Sequence, residues 1–108
     1  MLHKSNRLAK AKDIAEAFSR GRTFFNPFFT IKFLSRAPQK LFTVVVSTKV
    51  FKSAVKRNRL KRVLREHIRK NLTQFKNGSY MVIAKPKVSR LPEKDVLAAF
   101  LDVCSRIR

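Results

Sequence analysis

Acidic side chains are scarce in this sequence. Six Asp and Glu stand against 26 Lys and Arg, a net charge of +20 over 108 residues. The six (Asp13, Glu16, Glu66, Glu93, Asp95 and Asp102) are scattered and form no DxD or ExxH pattern. Two histidines, His3 and His67, and the lone Cys104 offer no metal-ligand spacing. The only glycines, Gly21 and Gly78, exclude GxGxxG and Walker loops, and there is no GxSxG elbow. The chain lacks the parts of a protein-borne catalyst, so no catalytic and no metal-binding residue is expected in it. A single cysteine cannot form an internal disulfide, which fits a reducing, cytoplasmic setting. No apolar run approaches the ~20 residues of a spanning helix. The charged first dozen residues also lack the apolar segment of a signal peptide, so no membrane partner is expected.

What is abundant is positive charge. A chain this cationic repels itself unless a polyanion neutralises it, and nucleic acid gains affinity by releasing condensed counterions from each phosphate contacted. The length suits one domain, residues 1–108, with a basic arm over 1–11 that carries His3, Lys4, Asn6, Arg7 and Lys10.

Ile14, Ala17 and Phe18 recur at helical spacing and predict a short helix over 12–20, with Gly21 just past its end. Residues 23–33 are aromatic and β-branched, broken at Asn26-Pro27. Phe29, Ile31 and Phe33 alternate with Phe28, Thr30 and Lys32, as in a strand with two unlike faces. Residues 36–40, with Pro38, read as a connection. The run 41–48 reads as a central, well-buried strand. From 53 to 75 the period turns helical, with Leu60, Leu64, Ile68 and Leu72 in one apolar stripe. Asn77-Gly78 closes it, 80–84 is a short buried strand, and Pro92 falls in the first turn of a last helix with Glu93 and Asp95 near its positive end. The order is helix, two or three strands, long helix, strand, helix. That is an α+β sandwich with one sheet covered by helices.

Residues 52–70 hold Lys52, Lys56, Arg57, Arg59, Lys61, Arg62, Arg65, Arg69 and Lys70 against one acid, Glu66. Rows at i, i+4 gather Arg57, Lys61 and Arg65, and beside them Asn58, Arg62 and Arg69. Like charges stacked in this way destabilise an isolated helix. Guanidinium forks grip phosphate bidentately, and Asn58 offers both a donor and an acceptor. A merely solvated face normally mixes its signs.

Phe51, Ala54, Arg57-Asn58-Arg59, Leu60, Lys61-Arg62 and Arg65, at this spacing, resemble the signature of the bacterial ribonuclease P protein component. Asn6-Arg7-Leu8 with Lys12-Asp13 and Phe18 is similar to that family's N-terminal arm and first helix. Residues 44–49 resemble its central strand, and Tyr80 to Pro86 its Ile-Ile-Ala-Arg-Pro strand. Two positions depart: Lys52 stands near a customary turn glycine, and Val50 where a second lysine is usual.

The resemblance implies a ribosomal protein S5 domain 2-like fold with a left-handed βαβ crossover. It implies a subunit that helps a catalytic RNA remove the 5′ leader from precursor tRNA, with the catalytic centre and magnesium in the RNA. By resemblance, Lys56, Arg57, Asn58, Arg59, Lys61, Arg62, Arg65 and Arg69 contact ribonuclease P RNA. Asn6 and Arg7 of the arm add RNA contacts, and Phe18, Phe29, Ser47 and Lys49 line a cleft for the single-stranded leader. No obligate protein partner is implied. Of the ten phenylalanines most are expected in the core, Phe75 and Tyr80 also being assigned there. A ribosomal or general RNA-chaperone protein is the other reading of the charge.

Overall fold

The chain runs α1 (Ala11–Arg20), β1 (Arg22–Phe25), β2 (Phe29–Leu34), β3 (Lys40–Val45), α2 (Ala54–Lys70), β4 (Gly78–Ala84) and α3 (Glu93–Cys104). Single 3-10 turns lie at Leu72–Gln74 and Pro86–Arg90. This computed structural model describes residues 6–8, 11–35 and 39–107. His3, Lys4, Lys10 and Pro38, named above in the arm and the connection, lie outside the described residues.

One sheet has the order β1-β2-β4-β3. β2 is antiparallel to β1 and to β4, whereas β3 and β4 are parallel and joined through α2. Alternation on β2 decides what each face does. Phe29, Ile31 and Phe33 are buried; Thr30, Lys32 and Leu34 are half-exposed. The buried set joins Phe42, Val44, Tyr80, Val82 and Ala84 under Leu60, Leu64 and Ile68 of α2 and Val96, Phe100 and Val103 of α3. Phe33, Tyr80 and Phe42 share one register row, and Tyr80 stacks on Phe42 with 4.6 Å between ring centroids. On the opposite face α1 lies over β2 and β4. There Ala17 and Leu8 are buried apart from the main core. Among the described residues no helix is long and apolar enough to cross a membrane.

Three expectations need correction. The strand over 41–48 is β3, which ends at Val45 and occupies an edge rather than the centre. Its β-branched side chains are covered from one face by α2, and its open edge is partly closed by the N-terminal segment. Leu8 N donates to Phe42 O at 2.7 Å, and Asn6 Nδ2 to Lys40 O at 2.9 Å. The long helix stops at Lys70, not 75. Asn71 caps it by donating backbone and side-chain N–H groups to His67 O, so the apolar stripe continues through Leu72 and Phe75 on a 3-10 turn. Pro92 stands at the N-cap of α3, one residue ahead of its first turn.

Gly78 opens β4 with φ 149°, a conformation L side chains avoid, and an added Cβ would run into the Phe33 ring and lie 2.8 Å from Leu34 O. Gly78→Ala is therefore expected to cost about 1–3 kcal/mol. For a domain this size that is a thermal midpoint lowered by at least ~4 °C, read by circular dichroism.

Tyr80 is buried, and its hydroxyl donates to Lys76 O at 2.6 Å. Burial pushes this phenol up from 10.0 to about 12, and pushes the Cys104 thiol up from 9.0 to about 12. Both groups hold their proton more tightly folded than unfolded, so the stability linked to them is intact below about pH 9 and is lost as pH rises toward 12. Urea midpoints over that range are expected to fall less steeply for Cys104→Ala and for Tyr80→Phe than for the parent. Parallel curves would exclude the linkage.

Candidate nucleic-acid interface

Ser53 starts α2 by accepting a hydrogen bond from Lys56 N at 3.3 Å, and the leucine stripe turns one side of the helix to the sheet. The remaining sides carry the cations, and the structure divides these into braced and open ones. Arg57 is braced: its Nη1 donates to Phe51 O at 2.9 Å and Lys52 O at 2.8 Å. It clamps the turn between β3 and α2. The same turn accounts for the two departures noted above. No described non-glycine residue has positive φ, so Lys52 sits in backbone open to any L-residue, while Val50 is buried in the core. Arg59 forks onto Glu93 of α3 at 2.8–3.2 Å, tying the two helices together. Arg69 is paired with Glu66, and that guanidinium holds the Glu66 carboxyl down at about 2.

Asn58 and Arg62 are exposed, Lys61 and Arg65 half-exposed, and their side chains take no hydrogen-bond partner among the described residues. At 3.6 residues per turn these four lie on one flank of α2, with Arg69 beyond them and Arg59 on the other flank with Lys56. The eight residues expected to touch RNA are thus brought onto one helix but not onto one face.

The second surface lies on the face of the sheet opposite the main core. Phe18 of α1 is 54% exposed. Lys32 of β2 places its Nζ 4.8 Å from that ring's centroid and donates to Thr23 Oγ1 at 3.1 Å. One row along the strands, Phe25, Thr30, Ile83 and Val45 are register partners across all four strands. Phe25 is 59% exposed and the other three are half-buried. Lys85, just past β4, holds its Nζ 4.9 Å from the Phe25 centroid and donates to Asn26 O at 2.8 Å. Ser47 and Lys49 are exposed just beyond the end of β3, where the Ser47 hydroxyl accepts from Lys49 N at 3.3 Å.

Phe29 does not belong to this surface. It is 0% exposed, its ring edge-on to Phe100 with centroids 5.8 Å apart. It sits in the inward register of β2, and the outward positions are Thr30 and Lys32. Phe25, Lys32 and Lys85 were missed. The signal for Phe25 was available: once Asn26-Pro27 closes a hairpin, Phe24 pairs with Ile31 inward and Phe25 with Thr30 outward. Asn6 and Arg7 lie along the edge of β3, Asn6 by its hydrogen bond to Lys40 and Arg7 by a parallel bridge to Phe42.

Among the described residues no three His, Cys, Asp or Glu side chains converge.

A basic helix flank and an aromatic, lysine-edged sheet face on one small α+β domain have the chemistry of a nucleic-acid-binding protein. A family model described as Ribonuclease P matches residues 2–108. The ribonuclease P protein component of Pseudanabaena sp. is 36% identical over 94 residues, 85% of this chain and 81% of that protein. That of Finegoldia magna is 35% identical over 108 residues, 97% of this chain and 93% of that one. The Staphylococcus aureus RNase P protein superposes with TM-score 0.90 over 97% of both chains at 20% identity, a likeness of fold. The Thermotoga maritima RNase P protein gives TM-score 0.81 at 29% identity, covering 94% of this chain and 97% of its own. The chain belongs to the ribonuclease P protein family, and so to tRNA processing.

The division among the arginines separates stability from binding. Arg57→Ala frees two backbone carbonyls and is expected to cost about 1–2 kcal/mol of stability, whereas Arg62→Ala should leave the stability within about 0.5 kcal/mol of the parent. Equal thermal midpoints for the two variants would contradict the brace.

Proposed function

We propose that this chain binds ribonuclease P RNA through the open flank of α2 and the single-stranded 5′ leader of precursor tRNA through the sheet face beside α1. The observation that carries this reading is the half-exposed Phe18 ring under the Lys32 ammonium, beside a partly open row of the sheet. An exposed ring offers a stacking plane to any base, and a nearby ammonium neutralises the adjoining phosphate, which is the chemistry of single-strand binding. Asn58, Lys61, Arg62 and Arg65 supply cations and amide groups that no described protein group occupies, the chemistry that suits a structured RNA backbone. Ser47 and Lys49 stand at the margin of the leader surface, and Asn6 and Arg7 add polar groups at the β3 edge.

On this reading phosphodiester hydrolysis belongs to the RNA subunit, with magnesium held by RNA and substrate. The protein's cations lower repulsion between two polyanions, so cation occupancy at their junction rises without a ligand from this chain.

The test is reconstitution with ribonuclease P RNA and a precursor tRNA at low magnesium, where the protein should stimulate cleavage at the 5′ end of the mature sequence. Phe18→Ala is expected to weaken precursor tRNA binding by roughly fivefold or more while mature tRNA affinity stays the same; equal loss for both would remove Phe18 from the leader surface. Arg62→Ala with Arg65→Ala should lower the slope of log K against log salt for ribonuclease P RNA by about 0.7–0.9 for each phosphate no longer neutralised. An unchanged slope would mean that this flank does not face the RNA.

A further inference from the structure

The Phe18–Lys32 pair has a counterpart that the motif resemblance does not point to. Phe25 is the most exposed aromatic ring among the described residues. Its surroundings are built rather than loose. The neighbouring Asn26 is buried and fully used: its Oδ1 accepts from Phe28 N and Phe29 N, each at 2.8 Å, and its Nδ2 donates to Ala99 O at 2.8 Å and Asp102 Oδ2 at 3.1 Å. Arg106 Nη1 donates to Phe25 O at 2.6 Å. The end of the β1–β2 hairpin is therefore nailed to α3, and an apolar ring is held out in water by a rigid frame. Lys85 is pinned in turn by Asn26 O, which leaves two of its three ammonium protons free above the ring.

We propose that Phe25 and Lys85 form a second nucleotide-stacking subsite, the ring taking a base and the ammonium its phosphate. This rests on the leader reading above and extends it along the sheet. The spacing fits one continuous strand. Lys32 and Thr30 are two residues apart on the same face of β2, roughly 7 Å, and Thr30 is the register partner of Phe25. Two stacked nucleotide steps advance about the same distance, at roughly 3.4 Å each. Rigidity matters because a pre-placed ring gives up little conformational freedom on binding.

The experiment measures dissociation constants of the reconstituted holoenzyme for precursor tRNAs with leaders from none to about eight nucleotides, within usual single-strand site sizes. Phe25→Ala is expected to weaken binding roughly five- to a hundredfold with a long leader and to converge on the parent as the leader is shortened. Phe25→Tyr, which keeps the ring, should retain affinity, and Phe25→Leu should not. Lys85→Gln should lower the salt slope by about 0.7, one single-strand phosphate. If affinity grows with leader length and Phe18→Ala abolishes the gain, yet Phe25→Ala matches the parent, the second subsite is wrong and the leader surface stands. If the parent shows no gain with leader length, the leader reading falls and the subsite with it. Equal weakening of mature tRNA by Phe25→Ala would also overturn the subsite.

Discussion

β2 is the strand on which both sides of the molecule depend, because each of its residues commits to one face and none can serve both. A slip of one position would drive Lys32 into the aromatic core and expose Phe29, Ile31 and Phe33. The register is fixed at the hairpin by Asn26, whose side chain satisfies two backbone N–H groups of the turn and two acceptors on α3. The edge-on packing of Phe29 against Phe100 secures the same helix from the sheet side. α3 thus holds the main core closed and the outer face in register at once. The outward set, Thr30 and Lys32, is free to serve binding because the inward set supplies the burial.

The charge is arranged to the same end. The ion pairs of Arg59 with Glu93, Arg69 with Glu66 and Arg106 with Asp102 are all well exposed. Pairs so exposed contribute about 0–1 kcal/mol each, so the fold rests on its apolar core and not on charge balance. The acids instead fix where particular guanidinium groups point. Lys61, Arg62 and Arg65 on α2 keep their hydrogen-bonding capacity, and their mutual repulsion is the part of the charge that a bound polyanion would relieve.

The element order, the basic helix and the family were legible because each rests on local pattern: period two, period 3.6, and a fixed spacing of arginine, asparagine and apolar residues. What was not legible is long-range. The position of β3 at the sheet edge depends on which strand inserts between it and β2, and that strand, β4, begins only after the whole of α2. Whether Phe28 or Phe29 starts the inward set depends on the hairpin register, which Asn26 decides through its bonds to Ala99 and Asp102. The double use of Arg57 was hidden for a related reason. An arginine in a basic helix reads as a ligand for phosphate, and only the folded turn shows that one of its terminal nitrogens, Nη1, is already committed to two carbonyls. The end of α2 was overrun because Leu72 and Phe75 continue the apolar spacing, while the stop is a capping geometry at Asn71.

The bracing of Arg57 also bears on how the outer row of the sheet and the open flank of α2 are held relative to each other. The row Phe25, Thr30, Ile83 and Val45 ends on β3, and two residues later Ser47 begins the turn that leads into α2. Val50 N and Phe51 N donate back to Ser47 O, and Arg57 closes the other side of the same turn. On the reading proposed above, a strand of RNA leaving the sheet face past Val45 would come to the turn that leads into α2, the helix on which Asn58 and Arg62 are open. A loose turn would let α2 swing against the sheet and make the distance between the two surfaces variable. Arg57 Nη1, by donating to two successive carbonyls, ties the first turns of α2 to the connection before it, while Nε and Nη2 take no partner among the described residues. On the proposed reading, one arginine of the Arg-Asn-Arg run would serve the RNA by holding its neighbours in place.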